Sequence, residues 1–251
     1  MKILLNLIPR PWLISMSIFF RPIIKWYFKG TRFTDPIDGS SYRKFLPYGY
    51  QKIRENALCP GTLSLERHRL LWLYLERETN FIDNAIKVLH VAPEQVFYQK
   101  FRTFSHWEYT TTDLHSPLAE IKADLFELPF QDNYYDLILC NHVLEHIPED
   151  QKAMQEMYRV LKPGGTLIAQ VPLEENRTQT FEDNSITDKA TRTEIFGQYD
   201  HVRIYGTDYY TRLESVGFDS HAIDFLKKLT SQEKQKFALP YSEKIPIAIK
   251  N

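Results

Sequence analysis

The chain has 251 residues, enough to bury one full α/β core with an accessory segment. Its formal net charge is -1, from 31 basic and 32 acidic side chains; the first 34 residues hold six basic residues and no acidic one, so the remainder carries 25 against 32, or -7. A mildly acidic body excludes general nucleic-acid binding, which needs a basic footprint, and two cysteines, Cys59 and Cys140, exclude a disulfide framework and fit a reducing cytoplasm.

Residues 1–34 mix Ile, Leu, Trp and Phe with the basic residues and three prolines. The longest uncharged run, Pro11 to Phe20, is too short to cross a bilayer. Pro9, Arg10 and Pro11 interrupt any signal-peptide core, and no small-residue cleavage site follows before Arg21. Two readings stay open. One is an interfacial segment on an anionic membrane, at its inner face, with Trp12, Phe19, Phe20, Trp26 and Phe28 as anchors and Lys2, Arg10, Arg21, Lys25, Lys29 and Arg32 as head-group partners. The other is a helical arm packed on the body.

Residues 35–80 form a second segment and 81–251 a third. Asp35-Pro-Ile-Asp38 and Cys59-Pro-Gly-Thr62 repeat the paired i, i+3 layout of a zinc ribbon, but one of four positions is cysteine. Two carboxylates, a thiolate and a hydroxyl are poor structural zinc ligands, so a metal-free turn is expected. Ser64 then caps a helix, SLERHRLLWLYLERE, with Glu66 in its first turn. Leu70 to Leu75 is apolar all round, which predicts burial on most sides.

Ile86 to Ala92 reads as a first parallel strand and His106 to Thr112 as a second, ending in Asp113. An acid at this place, about twenty residues past the first strand, can accept hydrogen bonds from both hydroxyls of a ribose. Ile121 to Phe130 follows, containing Asp124 and Leu125. The continuous apolar run Leu137 to Cys140 is a strand covered on both faces, and it ends on Asn141, His142, Glu145 and His146. Met154, Met157, Tyr158 and Leu161 recur at helical spacing opposite Lys152, Gln155, Glu156 and Arg159, until Pro163-Gly164-Gly165 stops the helix and Thr166 to Val171 resumes as strand. After Pro172 comes a long polar insertion containing Arg177. Long loops with little structure of their own are usually functional or disordered; Asp200, His201, Arg203 and Tyr205 at its end read as substrate-facing. Thr207 to Val216 is a helix closed by Gly217, and Phe218 to Phe225 pairs with Ile245 to Ile249.

YDLILCNHVLEHI followed by EMYRVLKPGGTLIAQVP resembles the fourth and fifth strands of class I S-adenosylmethionine-dependent methyltransferases, in the branch with an LEH loop and an RVLKPGG turn. The resemblance covers Ile86 to Val171 well and the tail to Phe225 loosely. It implies a Rossmann-like α/β fold with a seven-stranded, mostly parallel sheet of order 3-2-1-4-5-7-6, S-adenosylmethionine as cofactor, and methyl transfer as activity. By the same resemblance Asp113, with Leu114, holds the ribose, Asp124 and the Leu125 backbone hold the adenine, Asn141 and His142 line the pocket near the methyl, and His146 fastens the loop. The paired turns are similar to an N-terminal zinc knuckle with its ligands replaced by Asp35, Asp38 and Thr62. A helix before the first strand often covers the cofactor in this family, which would bring Arg67 or Arg69 to the methionine carboxylate; the alternative is that these arginines are solvated or pair with Glu66 or Glu76.

The first strand departs from the family, where an acidic residue and a glycine-rich loop close on the cofactor. Here His90 takes the acidic place, and Ala92, Pro93, Glu94 and Gln95 replace the glycines. Either the Glu94 carboxylate binds the cofactor's ammonium instead, or cofactor binding has been lost. Transfer from a sulfonium needs mainly alignment and desolvation, with a base only where the acceptor loses a proton; His201 and His142 are the candidates. Arg177, Arg203 and Tyr205 would hold a small-molecule, sugar or lipid-linked acceptor, or Asp200, His201 and Arg203 merely fasten the loop. A nicotinamide-dependent oxidoreductase would show G-x-G-x-x-G where this chain has HVAPEQ. A non-catalytic interaction protein on the same fold is the other rival.

Overall fold

The described residues of this computed structural model, 10–49 and 53–251, divide into two units: Met1–Glu78 with Leu226–Glu243, and Thr79–Phe225 with Lys244–Asn251. The first unit contains helix α1 (Arg10–Phe28), which carries Pro22 within it. Phe19, Phe20, Ile23, Trp26 and Tyr27 are exposed on it, and positions 19, 23 and 26 share one helical face. Lys2 and the side chains of Arg10 and Trp12 lie outside the described residues. Strand β1 (Lys29–Thr34) pairs antiparallel with β2 (Ser41–Tyr42), and β3 (Leu46–Tyr48) with β4 (Arg54–Leu58). Helix α2 (Glu66–Glu78) buries His68 through Leu73 and Leu75, as its apolar run predicts.

The second unit holds β5 (Lys87–Val91), helix α3 (Gln95–Phe101), β6 (Glu108–Thr112), β7 (Tyr135–Cys140), a 3-10 turn (Leu144–His146), helix α4 (Asp150–Val160), β8 (Leu161–Ile168), β9 (Phe181–Glu182), helix α5 (Lys189–Phe196), β10 (Arg203–Ile204), helix α6 (Tyr209–Glu214), β11 (Phe218–Ile223) and β12 (Ile245–Lys250). Its main sheet has the order β11-β12-β8-β7-β5-β6, parallel except for β12, which is antiparallel to both neighbours. Leu137, Ile138 and Leu139 are wholly buried, and Met154, Met157 and Val160 of α4 join the core beside β7. The sheet has six strands where the family pattern implies seven. The third is reduced to a single bridge, Thr112 to Ile121. Three residues later Asp124 accepts the Phe126 amide on its side chain at 3.0 Å, an Asx turn that ends extension. Strand β8 also starts earlier than expected. Pro163-Gly164-Gly165 lies inside it as a register break between the Tyr135/Leu161 and Leu137/Thr166 pairs, with Gly164 at φ +76°.

In the first unit, hydrogen bonds close the ribbon-like turns. Asp35 is fully buried; its Oδ1 accepts from the Ile37 amide at 2.9 Å, and its Oδ2 accepts from Ser64 Oγ at 2.6 Å and from Thr62 Oγ1. Burial, and then the Asp35 charge, pushes the Cys59 thiol up to about 12. Asp38 faces Lys25 at 2.6 Å. Arg69 is also fully buried. Its five donors go to the carbonyls of Ala57, Ser64, Phe237 and Ala238 and to Ser64 Oγ, at 2.6 to 3.1 Å. Arg69 is therefore neither solvated nor paired with Glu66, which binds Arg54 at 2.8 and 3.1 Å. Burial pulls the Arg69 guanidinium down, and the Asp35 charge is the first effect that opposes it. Replacing Asp35 by Ala leaves three donors unmatched and removes that charge, so we expect about 3 kcal/mol of destabilisation in urea unfolding. A variant as stable as the parent chain would show that the carboxylate does not hold these turns.

Candidate functional site

In the second unit, Val91 pairs with Thr112 on one side and Cys140 on the other. The next residues, Ala92, Asp113 and Asn141, therefore leave three neighbouring strands at the same level, with strands about 4.8 Å apart. The sheet grows outward in both directions from the β5/β7 pair, so these ends border the topological switch point where α/β sheets open a ligand crevice. Two residues at this edge are in the left-handed region: Ala92 at φ +47° and His142, next after Asn141, at φ +54°. That conformation costs a non-glycine residue about 1–2 kcal/mol, and such strain gathers at functional sites. Alanine here keeps the turn conformation that glycine usually supplies, and the Ala92 amide donates to the Thr112 carbonyl at 2.8 Å.

His90, in the place of the family's acid, is fully buried with both ring nitrogens engaged, Nδ1 with the Tyr109 hydroxyl at 2.7 Å and Nε2 with Glu94 Oε2 at 2.6 Å. Burial, and then the Glu94 charge, lifts the Tyr109 phenol far above its ordinary range. His90 thus positions Glu94, which follows Pro93 at the start of α3. Asp113 Oδ1 accepts the amides of His115 and Ser116, both at 2.6 Å, which fixes its carboxylate at the end of β6. Leu114 beside it is exposed and Leu125 is buried. Asp124 stands three residues beyond the Thr112–Ile121 bridge.

Asn141 is buried; its Oδ1 accepts the Gln170 amide at 3.4 Å, while its Nδ2 finds no partner among the described residues. His142 Nδ1 donates to Glu145 Oε1 at 3.2 Å. Glu145 is 1% exposed. Burial alone would raise its carboxyl, but the hydrogen bond and charge of His142, with His146 nearby, bring it below the usual range. His201 lies near the loop that follows β7. The Val202 amide donates to the Glu145 carbonyl at 2.9 Å, and the His201 ring meets that of His146 edge-on at 4.7 Å. Burial pulls the His201 imidazole down, opposed first by the Glu145 charge. His146 fastens the loop through the Asp200 carbonyl at 3.3 Å. The grouping of Glu145 and His146 with His201 is not visible from spacing, because His201 lies more than fifty residues away in the chain.

Arg203 and Tyr205 are not placed to meet an acceptor. Arg203 is 2% exposed and donates to the carbonyls of Leu144 (2.8 Å), Ile147 and Pro148 (2.8 Å) and to Glu182 (2.9 Å). Tyr205 is fully buried and donates to Asp150 at 2.6 Å, with Arg212 on the same carboxylate at 2.6 and 3.0 Å. Together they clamp the Leu144–Pro148 loop. Arg177 is half-buried; its side chain pairs with Glu174 at 3.0 Å, and its carbonyl accepts the Thr207 amide at 2.8 Å. A lysine at 203 cannot reproduce the planar fork, so Arg203→Lys should lower stability by about 2 kcal/mol, roughly 5 °C in Tm. An unchanged Tm would return Arg203 to the acceptor side.

Residues 81–169 match the family described as Methyltransferase domain. A stretch of 48 residues is 46% identical to the ubiquinone/menaquinone biosynthesis C-methyltransferase UbiE of Vibrio cholerae, covering 19% of this chain and 18% of that protein. A stretch of 58 is 43% identical to the demethylmenaquinone methyltransferase of Listeria monocytogenes, covering 23% and 24%. The chain thus spans about a fifth of the length of the curated relatives it matches. Among solved structures, an S-adenosylmethionine-dependent methyltransferase from Mesorhizobium loti superposes with a TM-score of 0.51 at 12% identity, over 72% of this chain and 98% of that one, a likeness of fold. The matched residues run from before β5 through β8 and include Ala92, Asp113 and Asn141, so the central part of this chain, residues 81–169, resembles a methyltransferase domain.

Proposed function

We infer that this chain binds S-adenosylmethionine at the β5/β7 switch point and transfers its methyl group to a small-molecule, sugar or lipid-linked acceptor. The observation that carries this reading is the shared register that sets Ala92, Asp113 and Asn141 side by side, with a buried amide nitrogen of Asn141 in want of an acceptor. Asp113 would hold the ribose hydroxyls and Asp124, with the Leu125 backbone, the adenine. Glu94, fixed by His90, would take the ammonium that a glycine loop meets with backbone groups. The bound sulfonium supplies an activated methyl; the protein's part is alignment and exclusion of water, with Asn141 and His142 lining the methyl end. The quinone-pathway names of the relatives agree with a small acceptor.

Calorimetric titration with S-adenosylmethionine and S-adenosylhomocysteine tests this. Both should bind, and Asp113→Ala should weaken binding by about 2 kcal/mol, some thirtyfold, as for hydrogen bonds to a charged group. No heat and no thermal shift with either compound would leave the non-catalytic interaction module as the better reading.

The exposed apolar face of α1, together with the exposed Lys29 and Arg32 that follow it in the chain, supports a peripheral contact with anionic lipid, as at the inner face of a cytoplasmic membrane. Among the described residues no helix is long and apolar enough to cross a membrane. Full-length protein should sediment with phosphatidylserine-containing vesicles, less so at high salt, and the double change Ile23→Glu, Trp26→Glu should abolish it. Undiminished sedimentation of that variant would identify α1 as a packing arm.

A further inference from the structure

We propose that Glu145, His146 and His201 form a site for a divalent ion of the zinc class, with one coordination position left for an oxygen ligand. One ring nitrogen of each histidine and one carboxylate oxygen of Glu145 lie within 4.8 Å of one another. Each histidine directs Nδ1 at a backbone carbonyl, His201 at Phe196 (3.1 Å) and His146 at Asp200 (3.3 Å). A carbonyl only accepts, so Nδ1 carries the proton in both rings and Nε2 presents its lone pair. This is how metal-binding histidines are held by their surroundings.

Two ligand atoms are buried and unmatched. His201 Nε2 and Glu145 Oε2 have no hydrogen-bond partner among the described residues, although His201 is 4% and Glu145 1% exposed. Leaving such atoms unmatched costs about 1–3 kcal/mol each, and a shared cation satisfies both. The other Glu145 oxygen is held by His142 Nδ1 at 3.2 Å, which orients the carboxylate.

Two imidazoles and one carboxylate are a ligand set of three-coordinate catalytic zinc sites, which keep a fourth position open. Their charge, -1, suits a dication. In a tetrahedral shell with bonds near 2.0–2.1 Å the ligand atoms stand about 3.4 Å apart, so the cluster must contract. His146, whose side chain is 31% exposed, is the member able to swing inward. The two segments are already tied together by the Val202 amide on the Glu145 carbonyl and by Arg203 on the Leu144 carbonyl. Ion binding is independent of the methyl-transfer reading; that the open position takes an acceptor oxygen rests on it.

The test uses the full chain freed of metal by chelation and dialysis, with no cofactor added. Zinc is titrated by calorimetry and cobalt(II) by visible absorption. One ion per chain is expected, with the intense bands of a low-coordinate cobalt site. His146→Ala, at the most exposed ligand, and Glu145→Gln should each weaken binding about tenfold or more, with unchanged far-UV circular dichroism. His115→Ala, at an exposed histidine elsewhere, should leave it unaltered. Absence of stoichiometric binding, or binding that both ligand variants retain in full, overturns the proposal. Because the readout is metal binding, its failure is distinguishable from failure to bind S-adenosylmethionine.

Discussion

The pairing of Val91 with both Thr112 and Cys140 is the constraint from which the site follows. Side chains alternate along a strand, so a slip of one residue would turn His90 and Leu89 to opposite faces and move Asp113 and Asn141 off the common edge. The register is secured by burial on both faces: Leu89, Ile138 and Leu139 are fully enclosed. The buried sheet thus delivers three strand ends, two of them polar, to one line.

Around that line, buried polar groups fall into two kinds. Arg203, Tyr205 and Asp150 are satisfied by carbonyls and by one another, and they set the position of the loop after β7. Asn141 Nδ2, Glu145 Oε2 and His201 Nε2 are enclosed but unmatched among the described residues. In the proposed reading, these unmatched atoms are where ligands would bind. The positive φ of Ala92 and His142 marks the same edge.

Much of this was legible in the chain. The unbroken run Leu137 to Cys140 requires cover on both faces, and Asp113 follows directly on a strand. The missing third strand was hidden because the Asx turn at Asp124 outweighs the apolar pattern around Ile121 and Leu125. The burial of Arg203 was hidden because arginine is ordinarily exposed, and its partners are carbonyls 55 to 59 residues away, which carry no sequence signal. The return of residues 226–243 to the first unit depends likewise on bonds from Arg69 to Phe237 and Ala238. Exchange of glycine for alanine at 92 suggested a lost loop, yet alanine adopts the left-handed conformation.

The central claim is that the three aligned strand ends are where the cofactor binds. The most direct measurement is a titration of 15N-labelled protein with S-adenosylhomocysteine, followed at the Asn141 side-chain amide and the backbone amides of Ala92 and Asp113. Saturable shifts at all three, with Asn141 Nδ2 gaining a hydrogen-bond partner, are expected. Binding that leaves these resonances unmoved would contradict the placement of the site at the β5/β7 switch point.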